Sequence, residues 1–167
     1  MVKKSLRRLG PTSIGCRTAK RLYGATRSSP KVFLAGPIQG FENKQEYRAV
    51  LSQLLEEAGY DVVDPWKREK LYYRADAVAV ETARKVVERD LSDIDRCDLF
   101  LAYMPVLSAG VCMELFYAKR GGKTTMVILT LENPSPWIIA HADYVFKSIE
   151  EFKDFLKGFR LRSSSRR

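Results

Sequence analysis

The sequence predicts an α/β fold in which helices cover both faces of a parallel sheet. Short apolar segments alternate with segments of helical periodicity between residues 31 and 158, and the apolar segments are continuous. Strands that are apolar on both faces are typical of parallel sheets. The 167 residues suffice for one domain. Since ligands of such sheets bind beyond the carboxyl ends of the strands, we expect a site near residues 36–43, 64–70, 105–110 and 131–137.

The first half of the domain contains two predicted strands and two predicted helices. The run KVFLAGPI (31–38) is a short apolar strand closed by Gly-Pro. Residues 43–59 place apolar side chains at helical spacing and end in glycine. DVVDPW (61–66) is predicted as the second strand, and residues 79–95 have one apolar stripe that predicts a helix.

The second half continues the alternation. Its predicted elements are, in order, the strand 98–104, a helix in SAGVCMELFYA (108–118), the strand 124–131, a short helix or loop in PSPWIIAHA (134–142), the strand 143–147 and a closing helix. Ser148 is predicted to cap the closing helix, since Glu151 follows it three residues later. The sheet therefore has five predicted strands.

Basic side chains are concentrated at the two ends of the chain. The net charge is +9, yet residues 1–31 hold nine Lys or Arg and no acid, and residues 157–167 are also free of acids. We divide the chain into a basic, disordered extension (1–30), the folded domain (31–158) and a basic tail (159–167). Because the folded part is not basic, specific nucleic-acid binding is not expected.

The sequence predicts a protein of a reducing compartment. No apolar run approaches the roughly 18 residues of a membrane helix, so no membrane association is expected. The three cysteines have no CxxC spacing, which argues against disulfides and zinc. We expect the protein in the cytoplasm. The Arg-rich, acid-free N-terminus also has the composition of a transit peptide. A disordered basic tail or an over-long start is the alternative explanation of this segment.

Glu114 is the single acid of SAGVCMELFYA. We expect it in the first turn of the helix after the third strand, where the helix end favours a carboxylate by roughly 0.3–1 kcal/mol. The small residues Ser108, Ala109 and Gly110 leave space before it. Glu114 is either a nucleophile or an ordinary helix-start acid, and the residues alone leave both interpretations open.

Two other features have weaker signals. The glycines of GPIQG (36–40) allow a ligand to approach the backbone, but a plain tight turn explains them equally well. Asp90 lies at the edge of an apolar helical stripe, and its spacing does not decide its role. Asp93 and Asp95 are expected on a solvated face.

Three segments together resemble the nucleoside 2-deoxyribosyltransferase family, which includes 2′-deoxynucleoside 5′-phosphate N-hydrolases. They are VFLAGPIQG, DLSDIDRCDLFLAY and SAGVCMELFYA, and the resemblance covers about residues 31–156. It implies a flavodoxin-like, Rossmann-like three-layer fold with a five-stranded parallel sheet and no metal or organic cofactor. It also implies a homodimer or higher homo-oligomer whose substrates are a 2′-deoxyribonucleoside or 2′-deoxyribonucleotide and a free nucleobase.

The resemblance implies two catalytic residues. Glu114 would attack the anomeric carbon of the deoxyribose to form an ester, and Asp90 would handle the proton of the nucleobase. A second base then accepts the sugar in transferases, and water accepts it in hydrolases. An ideal helix over 79–95 would place Asp90 near the amino edge of the sheet, away from Glu114. Either this helix is bent or oblique, or the role belongs to another acid such as Asp64.

The resemblance also implies substrate contacts, at Gly36, Ile38, Gln39, Gly40, Ser108, Gly110, Met113, Asn133 and Ser135. Ser108 and Ser135 match serines that hold a 5′-phosphate in the hydrolases, whereas Gln39 replaces an arginine and Phe33 replaces a tyrosine that braces the nucleophile. We rank a transferase first, because the broad pattern is that of the transferase family, and a nucleotide N-hydrolase second. A non-catalytic nucleotide-binding module is the third interpretation, because Phe33 and Gln39 weaken the site. Trp66 and Trp137 are either base-pocket or core residues.

Overall fold

The computed structural model describes residues 29–69 and 79–164, with side chains up to Arg68 and from Ala79 to Gly158. Most of the predicted basic extension and the last three residues of the predicted tail lie outside this part. In chain order the elements are β1 (Lys31–Ala35), α1 (Glu46–Glu57), β2 (Asp61–Val63), α2 (Trp66–Glu69), α3 (Val80–Asp95), β3 (Leu99–Met104), α4 (Ala109–Arg120), β4 (Thr124–Leu129), α5 (Pro136–His141), β5 (Tyr144–Phe146) and α6 (Ile149–Ser164).

The five strands form one parallel sheet, as predicted. Their order is β2-β1-β3-β4-β5, and every neighbouring pair is parallel. This is the order of flavodoxin-like folds, so the predicted fold class is confirmed. The order reverses between β1 and β3, and α4 follows β3 directly.

Two apolar cores lie on opposite faces of the sheet. Val32 and Leu34 of β1 pack with α1 and α6. Phe33 and Ala35 point to the other face, where the core includes residues of α3, α4 and α5. The alternation within one strand explains why β1 is apolar throughout: each of its faces meets a helical layer.

The segment DVVDPW differs from the prediction. Only Asp61–Val63 is a strand, and α2 follows it. The Asp64 carboxylate accepts a hydrogen bond from the Trp66 backbone N–H at 3.1 Å. An aspartate followed by proline therefore starts a helical turn here and ends the strand.

The closing helix begins as predicted and ends later. Ser148 Oγ accepts a hydrogen bond from the Glu151 N–H at 3.1 Å, which confirms the predicted cap. The helix continues to Ser164, past the predicted domain boundary at residue 158. Over residues 29–69 and 79–164, no helix combines the length and apolar character needed to cross a bilayer.

Candidate active site

A cavity of about 640 Å³ lies between α3, α4 and α5. Its size is within the range of small-molecule sites. Glu114 and Asp90 both line it, so the cavity brings together the two residues predicted to be catalytic. Its walls are mostly apolar or aromatic and include Val86, Val87, Leu91, Met113, Phe116, Trp137 and Ile138.

Glu114 lies in the second turn of α4. Ser108 is the N-cap and Ala109 the first helical residue, so Glu114 is the sixth residue and the first turn holds no acid. The expectation that Glu114 lies in the first turn is therefore wrong. Because the favourable field of a helix end fades within that turn, an ordinary helix-start role does not explain this carboxylate either.

The short sheet explains how Asp90 reaches the cavity of Glu114. Asp90 lies five residues before the end of α3, which places it about 7–8 Å above the amino edge of the sheet. Glu114 lies about as far below the carboxyl edge, since α4 starts there. The six-residue β3 is only about 20 Å long. The two acids are thus only about 5 Å apart along the strand direction, near mid-height of the sheet, and both line one cavity without a bend in α3.

Asp90 is connected to a chain of arginine and aspartate side chains. Its own side chain is buried, and Arg68 Nη2 of α2 lies 3.6 Å from Asp90 Oδ1. Arg68 also donates a hydrogen bond to Asp93, and Arg96 donates to the same carboxylate. Burial opposes ionisation of Asp93, but the two arginines outweigh it and hold its pKa below the ordinary value.

The expectation that Asp93 lies on a solvated face is wrong. Asp93 is 4% exposed, because its two arginine partners satisfy the buried carboxylate. Asp95 is exposed, as expected.

Asp64, the alternative acid, has a different environment. It forms an ion pair with Arg48 at 2.6 Å, and both side chains are almost fully buried. Arg48 also donates hydrogen bonds to the carbonyl oxygens of Leu34 at 3.1 Å and Gly36 at 3.0 Å. Asp64 does not line the cavity. Its contacts hold the end of β1 and leave Asp90 as the acid beside Glu114.

Packing accounts for Gly36 of GPIQG, and backbone conformation accounts for Gly40. A Cβ at Gly36 would lie 2.1 Å from Tyr47 Oη, and Gly40 has a φ of +73°, which favours glycine. Burial raises the pKa of Tyr47 to about 12, so its hydroxyl stays neutral against the loop. Of the predicted contacts on this loop, Gly36, Ile38, Gln39 and Gly40, none lines the cavity.

The other predicted contacts divide into two groups. Gly110, Met113 and Ser135 line the cavity, whereas Ser108 and Asn133 do not. Ser135 Oγ accepts a hydrogen bond from the Trp137 N–H at 3.3 Å and caps α5. The loops that contribute to this cavity are thus 105–110 and 131–137; no described residue of 36–43 or 64–70 lines it.

One wall of the cavity is aromatic, and of its residues only Trp137 was predicted as a possible base-pocket residue. The ring of His141 is parallel to that of Trp137, with centroids 5.8 Å apart, and meets Phe116 edge-on at 5.2 Å. His141 Nδ1 lies 2.6 Å from the Trp137 carbonyl oxygen, which can only accept, so Nδ1 carries the proton. Trp137 and His141 are four residues apart in α5, a spacing that places both on one helix face.

Two further aromatic residues lie elsewhere. Phe33 is fully buried and stacks on Phe100 with centroids 5.8 Å apart. It is a core residue, and no hydroxyl reaches Glu114 from that position. Trp66 does not line the cavity.

The charged side chains that line the cavity are mainly negative, and Arg68 contacts Asp90 from outside this lining. Among the described residues that line it, the acidic and basic side chains are those of Asp90, Glu114 and His141; no lysine or arginine is present. Such a lining suits an uncharged ligand better than an anion.

Comparison with known proteins gives consistent matches. Residues 32–154 match the model of the nucleoside 2-deoxyribosyltransferase family. A Thermofilum pendens protein named as a 2′-deoxynucleoside 5′-phosphate N-hydrolase is 30% identical over 77% of this chain and 96% of its own length.

Two solved structures share the fold. One is a 2-deoxyribosyltransferase of Bacillus psychrosaccharolyticus, with 20% identity and a TM-score of 0.60 over 74% of this chain and 90% of that one. The other is a CMP N-glycosidase of Clostridium botulinum, with 22% identity and a TM-score of 0.50 over 76% and 98%. At these identities the likeness concerns the fold.

Proposed function

Since the chain belongs to the nucleoside 2-deoxyribosyltransferase family, we propose that it cleaves and re-forms the N-glycosidic bond of 2′-deoxyribonucleosides. The observation that carries this proposal is the placement of Glu114 and Asp90 in one cavity with apolar and aromatic walls. Two carboxylates beside one sugar provide a nucleophile and a proton carrier, the pair that retaining glycoside chemistry requires.

In the first half-reaction, a Glu114 carboxylate oxygen attacks C1′ of the deoxyribose. The C1′–N bond breaks, and its electron pair goes to the nucleobase. The protonated Asp90 carboxyl transfers its proton to the base, which makes the base a better leaving group. The products are a neutral free base and a deoxyribosyl ester of Glu114.

The second half-reaction decides between transferase and hydrolase. In a transferase, a ring nitrogen of a second base attacks C1′, the ester C–O bond breaks, and Asp90 takes up the proton that the base loses. In a hydrolase, water attacks in the same way and free sugar is released. Both reactions regenerate the Glu114 carboxylate.

The charges of the cavity favour a nucleoside substrate. A 5′-phosphate would enter a space lined by two carboxylates, and the described lining has no lysine or arginine to balance it. A specific observation supports the nucleotide N-hydrolase as second candidate: Ser135 lines the cavity and matches a phosphate-binding serine of that branch. The named relative from Thermofilum pendens points the same way.

Two incubations separate these reactions. We expect deoxyadenosine with free cytosine to yield deoxycytidine and adenine, measured by liquid chromatography. Release of deoxyribose 5-phosphate from a deoxynucleoside monophosphate alone would instead identify the hydrolase. No product in either incubation would contradict both enzymes and support the non-catalytic binding module.

We further propose that the chain forms a homo-oligomer through the surface beside the cavity. Leu107, Met113, Trp137 and Ile139 are large apolar side chains that are exposed on α4, α5 and the loop before α4. Asn133 is exposed and does not line the cavity of its own chain. In an oligomer it would contact the sugar bound to the neighbouring subunit.

The Ile139→Glu variant is expected to reduce self-association, because it places a charge in that apolar surface. Sedimentation velocity measures the effect. The matched control is Val50→Glu, since Val50 is similarly exposed but lies on α1, on the opposite side of the sheet. A wild-type chain that sediments as a monomer at assay concentrations would contradict the proposal.

A further inference from the structure

We propose that Arg68 is a positioning residue that holds the Asp90 carboxyl in place and sets the pH range in which Asp90 exchanges its proton. The inference rests on the proposed function, because it gives Asp90 the proton of the nucleobase. Arg68 belongs to the short helix α2, which the sequence did not predict, and it does not line the cavity itself.

Arg68 contacts two carboxylates on α3. Its Nη2 atom lies between two carboxylates one helical turn apart, 3.6 Å from Asp90 Oδ1 and hydrogen-bonded to Asp93 Oδ2. Asp93 is in turn held by Arg96. The buried Asp93 carboxylate therefore holds the Arg68 guanidinium in place. The fixed guanidinium in turn restricts the position of the Asp90 carboxyl.

Two opposing electrostatic effects act on the Asp90 carboxyl. Asp90 and Glu114 are two carboxylates in one mainly apolar cavity, and such like charges disfavour simultaneous ionisation. A guanidinium beside Asp90 acts in the opposite direction and favours its charged form. Among the residues that the structure describes, the other titratable or charged groups next to Asp90 on α3 or on the walls of its cavity are Arg89 and Asp93 on α3, Cys112, Glu114 and Tyr117 on α4, and His141 on α5.

The direction of the effect is the same for both half-reactions. The first half-reaction needs protonated Asp90, and its rate falls as pH rises through the titration of this group. The second needs the carboxylate, and its rate rises over the same range. Without Arg68, Asp90 titrates at higher pH. The limb of the pH–kcat profile that reports Asp90 therefore shifts to higher pH, whichever half-reaction limits the rate.

The test compares Arg68→Met with Arg96→Met. Both variants remove one arginine from Asp93, but only the first removes the cation beside Asp90. We expect Arg68→Met to move the Asp90 limb of the kcat profile upward by about one pH unit, with KM little changed. Arg96→Met should leave that limb in place. Arg68→Gln should give the same shift to higher pH, and this variant replaces Arg68→Met in the measurement if Arg68→Met does not fold.

A second readout separates failure of this inference from failure of the proposed function. The ¹³C resonance of the Asp90 carboxyl reports its titration without any substrate. We expect an upward shift of its midpoint in Arg68→Met and Arg68→Gln and no shift in Arg96→Met. Equal midpoints in all variants would overturn the role of Arg68 even in an active enzyme. The expected shift in a chain without turnover would uphold the contact and contradict only the reaction.

Discussion

Glu114→Gln is expected to reduce turnover by a factor on the order of 10³–10⁶, the range found when a catalytic nucleophile is removed. Glutamine has nearly the same shape, so the cavity walls and the fold should persist. What disappears is the anionic oxygen that attacks C1′. Since the ester cannot form, both the transfer to a second base and the transfer to water should fail together.

The measurement is base exchange under saturating substrate, together with the intact mass of the protein after incubation with a deoxynucleoside. Wild-type protein should show a population heavier by one deoxyribosyl group, and the variant none. The control is Glu132→Gln, which removes an exposed acid that does not line the cavity. Undiminished exchange by Glu114→Gln would rule out this residue as the nucleophile.

Asp64→Asn is expected to lower the free energy of unfolding by about 3–5 kcal/mol, the usual cost of removing one partner of a buried ion pair. Arg48 would keep its charge in a nearly fully buried position. Arg48 would still donate hydrogen bonds to the carbonyl oxygens of Leu34 and Gly36, but these oxygens carry no negative charge to balance the guanidinium. Loss of stability should therefore exceed that of a typical surface substitution several-fold.

Urea unfolding measures this change, with Asp61→Asn as the control because Asp61 is an exposed acid on β2, the strand that Asp64 directly follows. The double variant Arg48→Met/Asp64→Leu should be more stable than Asp64→Asn, since it leaves no buried charge. Activity per folded molecule should survive in Asp64→Asn and be lost in Asp90→Asn. The reverse pattern would assign the proton of the base to Asp64.

The fold could be predicted from the sequence because its signals are local and repeated. Each buried strand is continuously apolar, and each helix has one apolar stripe, so element type and order follow from neighbouring residues alone. The prediction failed at DVVDPW, where the chemistry of Asp64 and Pro65 starts a helix and overrides the strand pattern. It also missed the true end of α6, because the basic composition after residue 158 suggested disorder.

The candidate site could be predicted only in part. Glu114 was singled out from its own segment and Asp90 by resemblance. That both line one cavity depends on the length of β3 and on where α3 ends, which helical periodicity does not report. Asp93 was expected in solvent because its arginine partner Arg68 comes from a distant part of the chain. The stacking of Trp137 on His141 was not predicted, although their spacing of four residues is visible in the sequence.

The mid-height position of the cavity has a practical consequence for engineering. The two acids project from the middle of α3 and α4, whose backbones are fixed by their own hydrogen bonds, while residues such as Leu107 and Ser135 come from connecting segments. Libraries confined to those segments should therefore alter which bases are accepted without displacing the acids. New substrate specificities should therefore be sought by replacing these connecting segments and leaving the helices α3 and α4 unchanged.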